Sequence, residues 1–218
     1  MENLLGICVG IGLAASCGFR VFVPLLITSI AAYSGHVQLA AGFEWLATPE
    51  AVTAFTVATL LEVGGYYVPW IDNALDSLGA PAAGIAGTIL VSAMITDTSP
   101  FLQWALGIIA GGGVATATHV GFAAARGASS ALTGGLANPV VATVENVGAV
   151  VMSVLSILVP VLVVVALIVS AVLLVPRLPQ LWRWLRPKLT PVSPVVPDDV
   201  PPTLPRRNPK DTPPAVAR

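Results

Sequence analysis

Apolar residues run through this chain in long stretches, each broken by at most one ionisable side chain. Leu4 to Ala32 is interrupted only by Arg20, Ala51 to Val68 only by Glu62, and Phe101 to Ala125 only by His119. Pro81 to Thr96 and Val147 to Val175 carry no charge. Crossing a hydrocarbon core about 30 Å thick takes roughly 20 residues of helix, and these runs are of that order. Lipid offers no partner to backbone N–H and C=O groups, so a spanning chain must be helical or a closed barrel. Barrel strands alternate apolar and polar side chains over about ten residues, and Val159 to Val169 does not alternate. The pattern predicts an all-α fold, a polytopic transmembrane helical bundle of five or six hydrophobic segments.

The segments echo one another. Gly6-Ile7-Cys8-Val9-Gly10-Ile11-Gly12 is similar to Gly107-Ile108-Ile109-Ala110-Gly111-Gly112-Gly113, and Leu46-Ala47-Thr48-Pro49 to Leu136-Ala137-Asn138-Pro139. The second pair reads as a polar cap followed by proline at the first helical position. The segments these open reach Val68-Pro69 and Val159-Pro160. As a repeat, the echo gives two inverted three-segment halves with broken or re-entrant helices and both termini on one side. As shared Gly/Ala composition, it gives no symmetry. Pro139 to Val175 would be about 55 Å long as one helix; a short half-span ending near Gly148 followed by one crossing brings the count to five. Leu4 to Ala32 is longer than a straight crossing needs, and Gly18 and Pro24 flank Arg20, so a break into two half-helices is expected there.

Composition excludes a soluble domain, since only 10% of the 218 residues are charged against roughly 25% in soluble proteins. The charges are also segregated. Of the ten basic residues only Arg20 and Arg126 precede Arg177, whereas eight of the eleven acidic residues do. The positive-inside rule then places the C-terminus in the cytoplasm. Residues 1–176 form the transmembrane domain and 177–190 a juxtamembrane basic and aromatic segment, with Trp182, Arg183, Trp184, Arg186 and Lys188 suited to the headgroup layer. Residues 191–218 are a Pro-rich tail expected to be disordered. Met1-Glu2-Asn3 lacks the basic start of a secretory signal, so Leu4 onward is read as retained. Cys8 and Cys17 would point to opposite faces of one helix, which argues against a disulfide or a metal site between them.

A guanidinium within an apolar span is costly enough that Arg20 must face protein or water, unless it lies near the interface and snorkels. Glu62 is its expected partner, one helical turn from Tyr66 and beside Gly64-Gly65, where another helix could approach closely. Asp72, Asn73 and Asp76 follow Pro69-Trp70 in an expected linker; the i,i+4 carboxylates could hold a cation or relay protons, or belong to a solvated loop with Asp72 as a cap. In the other half Asn138, Glu145 and Asn146 follow a Gly-rich linker, Gly127 to Gly135, with Glu145 a second buried acid and Asn138 a cap. The glycines at 6, 10, 12 and 111–113 suit close helix packing; no strand and acidic residue accompany them as dinucleotide binding requires. His36 and His119 are isolated. There is no His-Glu-x-x-His motif, no Gly-x-Ser-x-Gly elbow and no Cys–His arrangement, so no catalytic residue, metal or cofactor is assigned and the chain is read as not an enzyme.

The segments Gly12 to Pro24, Gly42-Phe43-Glu44-Trp45-Leu46, Tyr67-Val68-Pro69-Trp70-Ile71-Asp72-Asn73, Ala110 to Gly113 and Thr133 to Val140 together resemble a family of bacterial membrane proteins defined only as a domain of unknown function, number 4126. The resemblance covers Leu4 to Val175; it implies a bacterial inner (plasma) membrane location and brings no activity or ligand. Two functions compete. The first is a small-solute or ion transporter or channel lined by Arg20, Glu62, Asp72, Asn73, Asn138 and Glu145. The second is a non-catalytic scaffold that recruits a partner through its tail, where Pro191-x-x-Pro194-x-x-Pro197 suits a polyproline II helix. The expected partners are the lipid bilayer and a small solute or ion, with no nucleic acid; the small-residue faces are compatible with a homo-oligomer.

Overall fold

Proline, glycine and hydroxyl side chains set where the helices begin and end. The computed structural model describes residues 2–134 and 136–177. They form α1 (Glu2–Cys17), α2 (Phe22–Tyr33), α3 (Pro49–Gly65), α4 (Pro69–Met94), α5 (Pro100–Leu106), α6 (Gly113–Thr133), α7 (Asn138–Leu158) and α8 (Pro160–Leu174). A 3-10 turn, Glu44–Ala47, precedes α3. A π-helical turn, Gly107–Gly112, joins α5 and α6 into one continuous helix, Pro100–Thr133. No strand occurs among the described residues, as the sequence pattern predicts. Three helical segments, Ser77–Met94, Pro100–Thr133 and Asn138–Leu158, are long and apolar enough to cross a membrane, and Leu4–Cys17, Phe22–Tyr33 and Pro160–Leu173 are shorter apolar helices.

Thr48 caps α3 as expected, its Oγ1 accepting from the Ala51 N–H at 3.2 Å ahead of Pro49. Ser99 does the same for α5 through the Leu102 N–H. At the end of α4 the Gln103 amide donates to the carbonyls of Ser92 (2.8 Å) and Ile95 (3.3 Å), satisfying groups that a helix terminus leaves orphaned. Gly134 closes α6 in the left-handed conformation, φ +63°, where glycine carries no Cβ penalty.

Four local expectations are corrected. Asp72, Asn73 and Asp76 lie in α4 rather than in a linker, because Pro69 takes the first helical position and starts the helix upstream of them. Asn138 is not a cap: Ala137 holds that position without a side-chain bond, and the Asn138 Oδ1 accepts from the Ser130 hydroxyl on α6 at 3.0 Å. The stretch Gly127 to Gly135 is not a linker, since α6 runs through it to Thr133. The long apolar run after Pro139 divides at Val159, ahead of Pro160, and not near Gly148; proline lacks the N–H that continuing the helix requires.

Small residues position the helices. A Cβ at Gly6 would strike the Met94 carbonyl and one at Gly10 the Val91 backbone, so α1 lies antiparallel against α4. Gly107 meets Ser92, Gly111 meets Gly87, and Gly84 meets Thr116, so the helix through the π turn runs back along α4 with backbones nearly touching. On α7, Ser156 packs at Gly12 and Gly148 at Phe19, which makes α1 antiparallel to α7 as well.

The path of the first segment follows from these contacts. α1 starts beside Met94 and descends to Gly18, which packs on Thr118 and His119 of α6. The chain then turns at Gly18–Val21, and after α2 it is back at the same end of α4, where the Ala40 N–H donates to the Ala93 carbonyl at 2.8 Å. α1 and α2 are thus the arms of a helical hairpin, and the break expected at Arg20 is its tip. From Gly6 to Gly18 the descent is about 18 Å at 1.5 Å per residue. α4, with 26 residues, is about 39 Å long, so the tip stands near mid-height.

A buried ion cluster at the hairpin tip

Ending α1 at Cys17 and starting α2 at Phe22 leaves backbone donors and acceptors that no helix satisfies. The sequence answers with side chains from three other helices. Glu62, near the end of α3, places its two oxygens on the first N–H groups of α2: Oε1 accepts from Val21 at 2.7 Å and Oε2 from Phe22 at 2.9 Å. A carboxylate at a helix N-terminus also meets the positive end of the helix dipole. Glu62 is buried, so these bonds form away from bulk water.

Arg20 leaves the tip toward α7 and is 1% exposed. Its Nη1 stands 3.0 Å from Glu145 Oε2 and also donates to the Phe19 carbonyl at 3.2 Å. Its Nε donates to Asn146 Oδ1 at 2.5 Å and its Nη2 to the Ala142 carbonyl at 3.3 Å. The guanidinium carbon lies 3.6 Å from the centre of the Tyr66 ring, a cation–π contact. The expectation of a buried arginine holds and the snorkelling alternative does not. The expected Arg20–Glu62 pair is corrected: the ion partner of Arg20 is Glu145, and Glu62 is occupied by backbone amides. The reason is geometric, since the α1–α2 turn exposes its N–H groups toward α3 and sends the Arg20 side chain toward α7.

A second arginine completes the cluster. Arg126 of α6, also buried, places Nε 3.2 Å from Glu145 Oε1 and its guanidinium carbon 5.0 Å from the Tyr66 ring centre. Each oxygen of one carboxylate therefore faces a different guanidinium. Phe19 at the tip stacks on Phe122 of α6 with ring centres 4.3 Å apart, shielding one flank. On another flank polar groups lead outward: Asn146 Nδ2 reaches Tyr67 Oη at 3.5 Å, and that hydroxyl shares a 3.0 Å hydrogen bond with Thr143, both Tyr67 and Thr143 being exposed.

Of the residues expected in the site, Arg20, Glu62 and Glu145 come together at the tip. Asn138 does not; it ties the start of α7 to Ser130. Asp72 and Asn73 sit in the first turns of α4, and their side chains lie outside the described residues. Sequence reasoning missed Arg126 and Tyr66. The signal for Arg126 was present, because it is the only basic residue besides Arg20 before Arg177. His119 is buried with its ring against Gly79, at a point where any Cβ on α4 would collide with it. Among the described residues no group of three or more His, Cys, Asp or Glu side chains is placed to hold a metal ion.

A family model described as a domain of unknown function (DUF4126) matches residues 7–180. No curated protein and no solved structure matches the chain.

Proposed function

We propose, from the premise that this chain belongs to the family of unknown function DUF4126, that it is a small-solute or ion transporter or channel of a bacterial inner membrane. In this reading α4, the continuous helix Pro100–Thr133 and α7 cross the bilayer. The α1–α2 hairpin enters from one side and returns to it, as a re-entrant element. The C-terminus is cytoplasmic, as the basic excess after Pro176 favours.

The observation that carries the proposal is a buried arginine at the tip of that hairpin, about halfway along α4, held by Glu145 and next to a second arginine. Ionisable groups at such depth are expensive and mark solute or ion paths more often than they mark scaffolds. Broken helices whose ends meet polar side chains are the form in which irregular backbone is tolerated there. An interhelical scaffold could be built from glycine packing alone, which the interface of α1 with α4 already supplies.

Solute flux into proteoliposomes tests the proposal, with purified wild type beside Arg20→Ala and Arg20→Lys. Wild type should conduct at least one small solute, Arg20→Ala should lose more than nine-tenths of that flux, and Arg20→Lys should keep part of it. Unchanged flux in Arg20→Ala removes the tip from the path. The scaffold alternative depends on the tail, which lies outside the described residues. A chain lacking residues 191–218 should transport normally, whereas a scaffold would show no flux in either form and would lose its partner on this deletion, read by co-purification from membranes.

A further inference from the structure

We propose that Arg20 and Arg126 form the binding site for a small carboxylate solute, and that Glu145 is the resident carboxylate such a solute displaces. This rests on the transport reading above and names its substrate class. Glu145 shows what the site accepts: a planar group whose two oxygens each meet a separate guanidinium, at 3.0 Å from Arg20 and 3.2 Å from Arg126. Two guanidiniums in ion contact with separate oxygens of one planar group match the charge and extent of a carboxylate. A halide has one centre, whereas a carboxylate offers each cation its own oxygen, as Glu145 does.

Arg20 does not depend on Glu145 for its position. Asn146, the Ala142 carbonyl and the Phe19 carbonyl each bond a different part of the guanidinium plane, and the Tyr66 ring supports its face. When Glu145 yields, the cation stays aimed, and preorganisation of this sort lowers the cost of binding. The helix end nearby is not the competitor it would ordinarily be for an anion, because Glu62 already occupies the Val21 and Phe22 N–H groups. Asn146, Tyr67 and Thr143 form a hydrogen-bonded line of polar groups from the cluster to the surface at the start of α7.

The probe is pyruvate, a carboxylate acidic enough to leak slowly through lipid. With the full-length protein in detergent, the thermal unfolding midpoint is titrated with sodium pyruvate against sodium chloride at equal ionic strength. Pyruvate should raise the midpoint and chloride should not. Glu145→Gln, which removes the resident charge while keeping the shape, should bind pyruvate at least tenfold more tightly than wild type. Arg126→Gln should abolish the response and Arg126→Lys restore part of it. A purely structural ion pair lowers the midpoint of Glu145→Gln, as loss of the buried charge does in either case, but predicts no pyruvate response in it. That result, or an equal response to chloride, overturns the carboxylate site. Proteoliposomes separate the two readings. If rubidium or glycerol passes but pyruvate neither binds nor passes, the carboxylate inference falls and transport stands. If pyruvate binds yet no solute passes, transport falls.

Discussion

Glu62 shows how much a single side chain contributes to this structure. Its carboxylate accepts from the first two amides of α2, and both bonds are shorter than 3 Å. Hydrogen bonds to a charged group are worth about 1.5–3 kcal/mol when buried. Glu62→Gln keeps one acceptor oxygen but turns an amide NH2 toward a backbone N–H, so it should lower stability by about 1.5–3 kcal/mol, read from thermal or denaturant unfolding in detergent. Glu145 carries a larger load, since it faces two guanidiniums. Removing one partner of a buried ion pair costs about 3–5 kcal/mol. Glu145→Ala should therefore destabilise more than Glu62→Gln, and a smaller loss would show that water enters the cluster. At this scale the sequence was informative about which residues matter and misleading about who partners whom. Arg20, Glu62 and Glu145 stand out because each is a charge inside an apolar run. Nothing in their spacing could reveal that the turn at Gly18 sends the Arg20 side chain to α7 and its backbone to α3.

The helices owe their arrangement to glycine. α1 presents Gly6, Gly10 and Gly12 to α4 and α7, and α4 presents Gly84 and Gly87 to the helix containing the π turn. At each of these points an added Cβ would meet backbone or a packed side chain. Enlarging such a residue overpacks the interface, at a typical cost of 1–3 kcal/mol. Gly10→Val and Gly87→Val should each lower the unfolding midpoint and disturb the hairpin. Gly113 is the control, because nothing lies within 4 Å of its Cβ position and it sits in a helix. Gly113→Ala should be neutral or stabilise by up to about 1 kcal/mol. The glycine pattern was legible in the chain, and its use in close packing is borne out at Gly6, Gly10, Gly12, Gly111 and Gly112 but not at Gly113, which nothing approaches within 4 Å. Gly64, by contrast, touches nothing within 4 Å, and only Gly65 makes the expected close contact, against Ile71 and Leu75 of α4.

For the whole molecule, the hairpin decides the topology. Because α1 begins and α2 ends beside the same end of α4, the loop at Ser34 and the connection at Asp97 belong to one face, and the turn at Leu136 to the other. Single cysteines at Ser34, Asp97 and Leu136 test this in cells, with Cys8 replaced by alanine and the buried Cys17 retained. A membrane-impermeant thiol reagent should label 34 and 97 from the same side and 136 from the opposite side. Labelling of 34 and 97 from opposite sides would mean that the first segment crosses and the hairpin is wrong. Exposed Leu, Ile, Val and Phe side chains cover the outer faces of α3, the continuous helix Pro100–Thr133, α7 and α8, well beyond the scattered apolar residues of a soluble surface. Removing detergent without lipid should precipitate the protein.

The linear chain by itself determined that this is a helical protein with segments apolar enough to cross a membrane, because hydropathy over twenty residues and the cost of unpaired backbone in lipid are local properties. It also determined that the first segment breaks at Arg20, since glycine and proline act on their own neighbours. Only the tertiary structure decided that the break is a hairpin tip, that Glu145 and not Glu62 neutralises Arg20, and that Arg126 joins them. Those outcomes depend on which helix faces meet. In an apolar solvent that choice is made by backbone-to-backbone fit between small residues distant in sequence, which no periodicity along the chain encodes.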